Sequence, residues 1–363
     1  MEASPVSDML TIQSHKGPYT AVFDQTALEK LEADVPANAH FLIDAHVADL
    51  YAKQMKNILA HRSVLLIDAL ESNKSLERMP SYVAHLVDKG LRRDHRLIAI
   101  GGGIIQDITC FLSATMLRGV DWVFYPTTLL AQADSCIGSK SSINSGTAKN
   151  ILGTFTPPRE VHISTTFLTT LDPRDVRSGI GEMLKVHVID GPDSFNTIAA
   201  DYQRILKEPE VMMAYIRRSL DIKKAYIERD EFDQGARNVF NYGHSFGHAI
   251  EAATDFGIPH GIAVTIGMNM ANYVAARLGV GSEENYRRMQ PVMRLNYDGF
   301  ETYPVPLDPF MTALSRDKKN QGAGTATFIL ADHSGQVFKE QYPMDESLVD
   351  ICRDYLASER ATA

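Results

Sequence analysis

Short unbroken apolar runs recur through the first half of the chain, and they leave few folds open. Phe41-Leu-Ile-Asp44, Val64-Leu-Leu-Ile-Asp68, Leu97-Ile-Ala-Ile100, Val123-Phe-Tyr125 and Val161-His-Ile163 read as strands. Strands without a polar face must be covered on both sides, which is the pattern of a parallel sheet between helices. The segments between them, such as 46–60 and 77–90, carry helical spacing and supply the crossovers. From about residue 173 the spacing becomes long and helical, over 174–190, 208–229, 243–254 and 261–278. Short strands are expected again near 326–330 and 336–338. The chain thus reads as an α/β domain over 1–170 and a mostly α-helical domain over 171–363. Its 363 residues are enough for two cores.

Charge and cysteine usage narrow the function. A net charge of −9 without a Lys/Arg block argues against a nucleic-acid partner, although a few local cations suffice for an anionic small substrate. Cys110, Cys136 and Cys352 are far apart and form no Cys-x-x-Cys pair. A disulfide framework or cysteine zinc site is therefore not expected, and a reducing cytoplasm is. The N-terminus has no signal-peptide pattern, and no apolar run reaches the ~20 residues that span a bilayer. No membrane association is expected.

Several motifs carry possible chemistry. Gly101-Gly-Gly103 lies between an expected strand and an expected helix, with Asp107 in the first turn. Such a turn is either a tight strand–helix connection or a place where backbone approaches a phosphate. Pro126-Thr-Thr-Leu-Leu130 leads to Asp134, Ser135, Lys140, Lys149 and Asn150, with Arg118 upstream. This set is either a solvated loop or a binding surface for phosphate and sugar hydroxyls. Glu182 and Lys185 stand one helical turn apart, the spacing of an ordinary ion pair.

His244 and His248 are four residues apart, and His260 follows in Pro-His-Gly. Histidine is the commonest side-chain metal ligand, so the cluster points to a divalent metal, with the His244–His248 pair the simplest reading of the spacing. Glu182 with His244 and His260 would also complete a three-ligand set, the number typical of catalytic zinc. Arg237 and Asn241 continue the same helical steps, so one face is expected to read Arg, Asn, His, His. Lys223, Lys318 and Lys319 are either surface residues or part of the same polar roster.

Taken in order, these segments resemble the sugar phosphate cyclases, whose best-known member is 3-dehydroquinate synthase. The resemblance covers about residues 40–340. It rests on Gly101-Gly-Gly103 with Asp107, Pro-Thr-Thr-Leu-Leu-Ala-Gln-x-Asp-Ser at 126–135 and Lys140. Lys149-Asn150, Gly181-Glu182 with Lys185, and Asn-x-Gly-His-x-x-Gly-His at 241–248 continue it. The family implies an N-terminal NAD-binding α/β domain, a C-terminal helical metal-binding domain and a homodimer. By motif match, Glu182, His244 and His260 would hold the metal, normally zinc with cobalt an alternative, and His248 would stand beside it. Arg118, Asp134, Lys140, Lys149, Asn150, Lys185, Lys223, Arg237, Asn241, His248 and Lys318 would line a phosphorylated sugar or sugar-acid substrate. Of these, Lys140, Lys185, Lys223, Arg237, Asn241 and His248 are the implied catalytic residues. Asp44, Glu71, Lys74, Gly101, Gly102, Gly103, Asp107, Thr127, Thr128, Asp134, Ser135, Lys140, Lys149 and Thr170 would form the NAD site.

The implied activity is a phosphate-eliminating cyclase, a lyase, in which NAD is reduced and restored in each turnover. Three departures bear on the substrate. Gly138-Ser-Lys-Ser141 replaces the usual Gly-Gly-Lys-Thr, Thr147-Ala-Lys-Asn150 replaces Leu-Gly-Lys-Asn, and Gln106 precedes Asp107 where Gly is common. Relatives acting on sedoheptulose 7-phosphate or glucose 6-phosphate tend to change the positions of Arg237, Asn241 or His248, and all three are kept here. Arg237 with Lys223 suits a substrate carboxylate, which favours 3-deoxy-D-arabino-heptulosonate 7-phosphate or its amino analogue. The alternatives are a cyclase for another sugar phosphate, a metal-dependent polyol dehydrogenase, and an inactive binding protein of the same fold.

Overall fold

The computed structural model describes residues 8–146, 148–316 and 324–360. The chain forms two compact units. One comprises the residues through Leu171 together with Lys224–Phe232, and the other Asp172–Lys223 with the residues from Asp233 onward.

The first unit is built on a sheet. Its strands are β1 (Met9–Ile12), β2 (Tyr19–Phe23), β3 (Ala39–Asp44), β4 (Val64–Ile67), β5 (Arg96–Gly101) and β6 (Asp121–Pro126), then β7 (Ile143–Ser145), β8 (Ala148–Leu152) and β9 (Glu160–Ile163). Seven form one sheet in the order β1-β2-β9-β6-β5-β3-β4, and β7 pairs with β8 apart from it. Every neighbouring pair from β2 to β4 is parallel, and β1 is antiparallel to β2. The five apolar runs are β3, β4, β5, β6 and β9. Phe41, Ile43, Ile98, Ile100, Val123 and Tyr125 bury one face of the sheet in a shared cluster with Val47 and Met55. The predicted helix over 46–60 is two short helices, Ala45–Leu50 and Lys56–Leu59. Between them the Tyr51 hydroxyl turns in to donate to the Thr166 carbonyl at 3.1 Å, a tertiary contact that overrides local propensity.

The strand order sets where a ligand fits. After β4 the chain returns across β3 to form β5, so the winding direction reverses between β3 and β5. In open parallel sheets the crevice at the carboxyl ends of two such strands is the binding position. Here those ends carry Asp44 and Gly101.

The second unit is mostly helical. Its central helix, His260–Arg277, is buried at every position from Gly261 to Ala275; most of these residues are apolar or small, and the buried Thr265, Asn269 and Asn272 are hydrogen-bonded. It packs against Pro173–Asp190, His244–Ala253 and Glu283–Asn296. The helix Pro173–Asp190 starts with Pro173 at its first position and Asp172 as cap, whose carboxylate accepts from the Arg174 amide at 2.8 Å; both features pre-organise a helix start. An antiparallel hairpin of β10 (Thr325–Ala331) and β11 (Val337–Pro343) completes the unit. Among the described residues, no helix is long and apolar enough to cross a membrane.

Glycines let these helices approach closely. A Cβ at Gly181 would lie 2.2 Å from the Gly261 carbonyl oxygen, and one at Gly261 would lie 1.8 Å from the Ser178 carbonyl oxygen. A Cβ at Gly267 would meet the Gly243 carbonyl oxygen at 2.2 Å, and one at Gly247 the Val264 Cα at 3.0 Å. These crossings bring Glu182, His244 and His260 together. Gly261→Ala forces backbone against backbone, so we expect a loss of about 3 kcal/mol, the upper range of overpacking. Denaturant unfolding checks this, and a midpoint equal to wild type would refute it.

Candidate active site

In the helical unit, four donor groups converge. Glu182 Oε1 lies 3.6 Å from His244 Nε2 and 3.6 Å from His260 Nε2. The His248 ring centroid is 5.3 Å from that of His244 and 5.6 Å from that of His260, and the three histidines present nitrogens within 4.8 Å of one another. The other ring nitrogens of two histidines are engaged. His244 Nδ1 faces the Tyr242 carbonyl at 3.2 Å, and His260 Nδ1 faces both Glu251 oxygens at 3.2 Å. Each contact places a proton on Nδ1 and leaves the Nε2 lone pair directed at Glu182, the usual support of a metal-bound imidazole. Burial opposes charging His260, but the hydrogen bond and charge of Glu251, with the Glu182 charge, outweigh it and raise its pKa.

The donor chemistry fits a zinc ion. Two ligands at 2.0–2.1 Å in tetrahedral geometry are about 3.4 Å apart, close to the 3.6 Å observed between carboxylate and imidazole. Glu182 and Lys185 are each only 2% exposed, so the pair is not the surface ion pair that its spacing also allowed. Lys185 Nζ donates to Glu182 Oε2 and lies 5.7 Å from the centre of the Phe240 ring.

Arg237 and Asn241 do not share the histidine helix. They occupy a 3₁₀ turn, Ala236–Asn241, and Gly243 at φ 76° breaks the chain before the helix starts at His244. The expected single face therefore becomes two elements. Arg237 and Lys223 are both buried. Asn241 Nδ2 donates to the Asn238 carbonyl at 3.0 Å. Asn241 also lines a cleft of about 220 Å³ with Asp233, Asn238, Thr327, Ile329 and Lys339. Lys318 and Lys319 lie outside the described residues, as does Thr147.

In the sheet unit, Asp44, Gly101, Gly102 and Gly103, expected around NAD, lie at the carboxyl ends of β3 and β5. Asp44 ends β3, and its carboxylate accepts from the His46 amide at 3.0 Å; burial raises its pKa. A Cβ at Gly101 would lie 3.3 Å from Asp44 Cβ, and one at Gly102 would lie 2.9 Å from Thr128 Cγ2. Nothing lies within 4 Å of a Cβ at Gly103, the first residue of the helix Gly103–Thr115. This is open space at a helix N-terminus beside the switch point, which suits the phosphates of a dinucleotide. The Thr127 amide donates to the Gly101 carbonyl at 2.9 Å. Asp134 and Ser135 lie in a π-helical turn, Ala131–Ser135, a distortion frequent at functional sites. Thr170 is exposed and bonded to the Tyr51 hydroxyl at 3.0 Å.

Lys74 anchors a second polar cluster in this unit. Its Nζ is 3.3 Å from Glu71 Oε1, 3.1 Å from Asp107 Oδ2 and 3.0 Å from Asn150 Oδ1. Burial pushes the Asp107 carboxyl up to about 6, with Lys74 acting against it. Asn150, expected among substrate residues, is thus tied to the Lys74 group, at a left-handed φ of 53°. Arg118, at φ 64°, and Lys140 and Lys149 are exposed.

Sequence reasoning did not single out Glu251, Asn144 or the role of Gln106. Glu251 follows His248 by three residues in the same helix, which was the available signal. Asn144 Nδ2 donates to Glu71 Oε1 at 2.8 Å. Gln106 and Ser135 bond reciprocally, Nε2 to the Ser135 carbonyl at 2.6 Å and Ser135 Oγ to Gln106 Oε1 at 2.7 Å.

Known proteins resemble this chain along both of its halves. The 3-dehydroquinate synthase N-terminal family model matches residues 64–178, and the C-terminal model matches 179–320. A 3-dehydroquinate synthase of Streptococcus thermophilus is 32% identical over 355 residues, covering 93% of this chain and 98% of the relative. Among solved structures, 2-epi-5-epi-valiolone synthase from Streptomyces hygroscopicus, with NAD+ and Zn2+ bound, is 26% identical. It superposes with a TM-score of 0.82 over 99% of this chain and 100% of its own. A 2-deoxy-scyllo-inosose synthase complexed with carbaglucose-6-phosphate, NAD+ and Co2+ shares the fold at a TM-score of 0.82 and 22% identity, over 95% and 99% of the two chains. With family models matched in both halves and identity sustained over nearly the whole length, this chain belongs to the 3-dehydroquinate synthase family.

Proposed function

We propose that the protein converts 3-deoxy-D-arabino-heptulosonate 7-phosphate to 3-dehydroquinate and phosphate, with NAD and zinc as cofactors. The observation that carries this reading is the buried Glu182 oxygen standing 3.6 Å from both His244 and His260, within a chain of this family. Zinc there supplies a Lewis acid for substrate oxygens, and NAD supplies a hydride acceptor restored in each turnover.

The chain's own residues take the remaining tasks. Glu182, His244 and His260 hold the metal, and Lys185 orients the Glu182 carboxylate through the ion pair on its other oxygen. His248, the exposed ring of the cluster, exchanges protons with the substrate. Arg237 and Lys223 hold the substrate carboxylate, Asn241 and Lys185 its hydroxyls. In the sheet unit, Asp44, Gly101, Gly102, Gly103, Thr127, Thr128, Asp134, Ser135 and Thr170 hold NAD with the Glu71–Lys74–Asp107 group. Arg118, Lys140 and Lys149 offset the phosphate charge of the substrate, and the neutral Asn150 amide donates a hydrogen bond to that phosphate. Three buried cysteines outside any disulfide suit a reducing cytoplasm, and we place the enzyme there as a homodimer.

A second reading, a cyclase for another sugar phosphate, is favoured by Ser139, Ser141 and Gln106 beside the proposed cofactor and substrate residues. One assay separates the classes. With NAD and zinc supplied, the protein should release phosphate from the heptulosonate phosphate while no NADH accumulates. Steady NADH formation from a simple polyol would instead identify a dehydrogenase. Absence of both activities, with no NAD binding, would identify an inactive member.

A further inference from the structure

Gly138, Ser139 and Lys140 form a γ-turn in the sheet unit. The Lys140 amide donates to the Gly138 carbonyl at 2.8 Å, and Ser139 at the centre has φ 67°. A γ-turn with positive central φ is the strained hand, and a residue with a Cβ holds it only where its surroundings impose it.

The surroundings here are specific. Ser139 is buried, and its Oγ donates to Glu231 Oε1 at 2.7 Å. Glu231 lies in Lys224–Phe232, the segment that returns to this unit. The same oxygen accepts from Ser14 Oγ at 2.6 Å, and Oε2 accepts from the His15 amide at 2.8 Å. Burial works against a charge on Glu231, but these donors outweigh it and hold the carboxyl below its ordinary range. The backbone of the turn is also tied: the Gly138 amide donates to the Tyr19 hydroxyl at 3.0 Å, and the Thr156 amide to the Ser139 carbonyl at 2.7 Å. Lys140 is exposed at the end of this turn.

We propose that Glu231 is a positioning residue: by holding Ser139 in the strained turn, it fixes the direction in which Lys140 leaves the backbone toward the substrate. The proposal rests on the reading of Lys140 as a substrate cation. A glycine takes the positive φ at no steric cost, whereas serine needs an anchor, and Glu231 is that anchor.

The test is a double-mutant cycle of Glu231→Ala and Ser139→Gly in the full-length protein with NAD and zinc. Glu231→Ala should lower kcat for phosphate release about tenfold, within the range by which contacting residues couple. In the Ser139→Gly background the same change should cost less than about threefold, because glycine holds the turn unaided. Hydrogen exchange at the Lys140 amide should accelerate in Glu231→Ala and return toward wild type in the double variant. Equal losses in both backgrounds, or unchanged exchange, would overturn the proposal. Should Glu231→Ala fold poorly, Glu231→Gln keeps one acceptor oxygen and should fall between wild type and the alanine variant. Exchange is read without substrate, so it decides the turn even if wild type released no phosphate, a result that would count against the reaction instead.

Discussion

His260→Ala should leave the purified protein without zinc, from about one ion per chain in wild type to near zero after desalting, because it removes one of three protein ligands. Glu182→Ala should do the same. His248→Ala should keep its zinc and lose turnover. This contrast matters because the three histidines alone could hold an ion, their nitrogens lying within 4.8 Å of one another. The assignment of Glu182, His244 and His260 rests on two details. Glu182 Oε1 faces both Nε2 atoms at 3.6 Å, and both Nδ1 atoms are committed to acceptors, the Tyr242 carbonyl and Glu251. Metal analysis of the variants decides it: zinc retained in His260→Ala, or lost in His248→Ala, would refute the ligand set.

Arg237→Ala should reduce kcat/KM on a carboxylate-bearing substrate by about 10²–10⁴-fold, the loss of two charge-assisted hydrogen bonds in a buried setting. Arg237 is buried, so its charge is poorly screened and worth more than a surface cation. Any activity on sedoheptulose 7-phosphate or glucose 6-phosphate, which lack the carboxylate, should change little. Steady-state kinetics on both substrate types measures the difference, and an equal loss on both would end the carboxylate assignment.

Much of the frame was legible in the residues. Continuous apolar runs identified β3, β5, β6 and β9, because a strand covered on both faces has no polar side to confuse the pattern; β4 shows the same run although it is an edge strand with Leu66 exposed. β1 and β2 escaped notice: β1 buries alternate residues at the sheet edge, a weak signal over four residues. The histidine cluster was legible in position but not in geometry. Helical spacing joined Arg237 and Asn241 to His244 and His248, and the left-handed Gly243 breaks that face. Glu251 was hidden because a carboxylate behind a ligand has no spacing rule. Helix approach through Gly181, Gly261 and Gly267 was hidden because a glycine in a helix reads only as a cost. The return of Lys224–Phe232 to the sheet unit depends on carboxylates meeting the β1–β2 turn, such as Glu228 accepting from the Gln13 amide at 2.9 Å. No local pattern announces such a contact.

The central claim is tested most directly by phosphate release from wild type offered four substrates in parallel, with NADH followed in the same samples. These are 3-deoxy-D-arabino-heptulosonate 7-phosphate, its amino analogue, sedoheptulose 7-phosphate and glucose 6-phosphate. We expect the heptulosonate phosphate to be turned over fastest, with phosphate accumulating and NADH remaining flat. Faster turnover of either sugar phosphate that lacks a carboxylate would contradict the account.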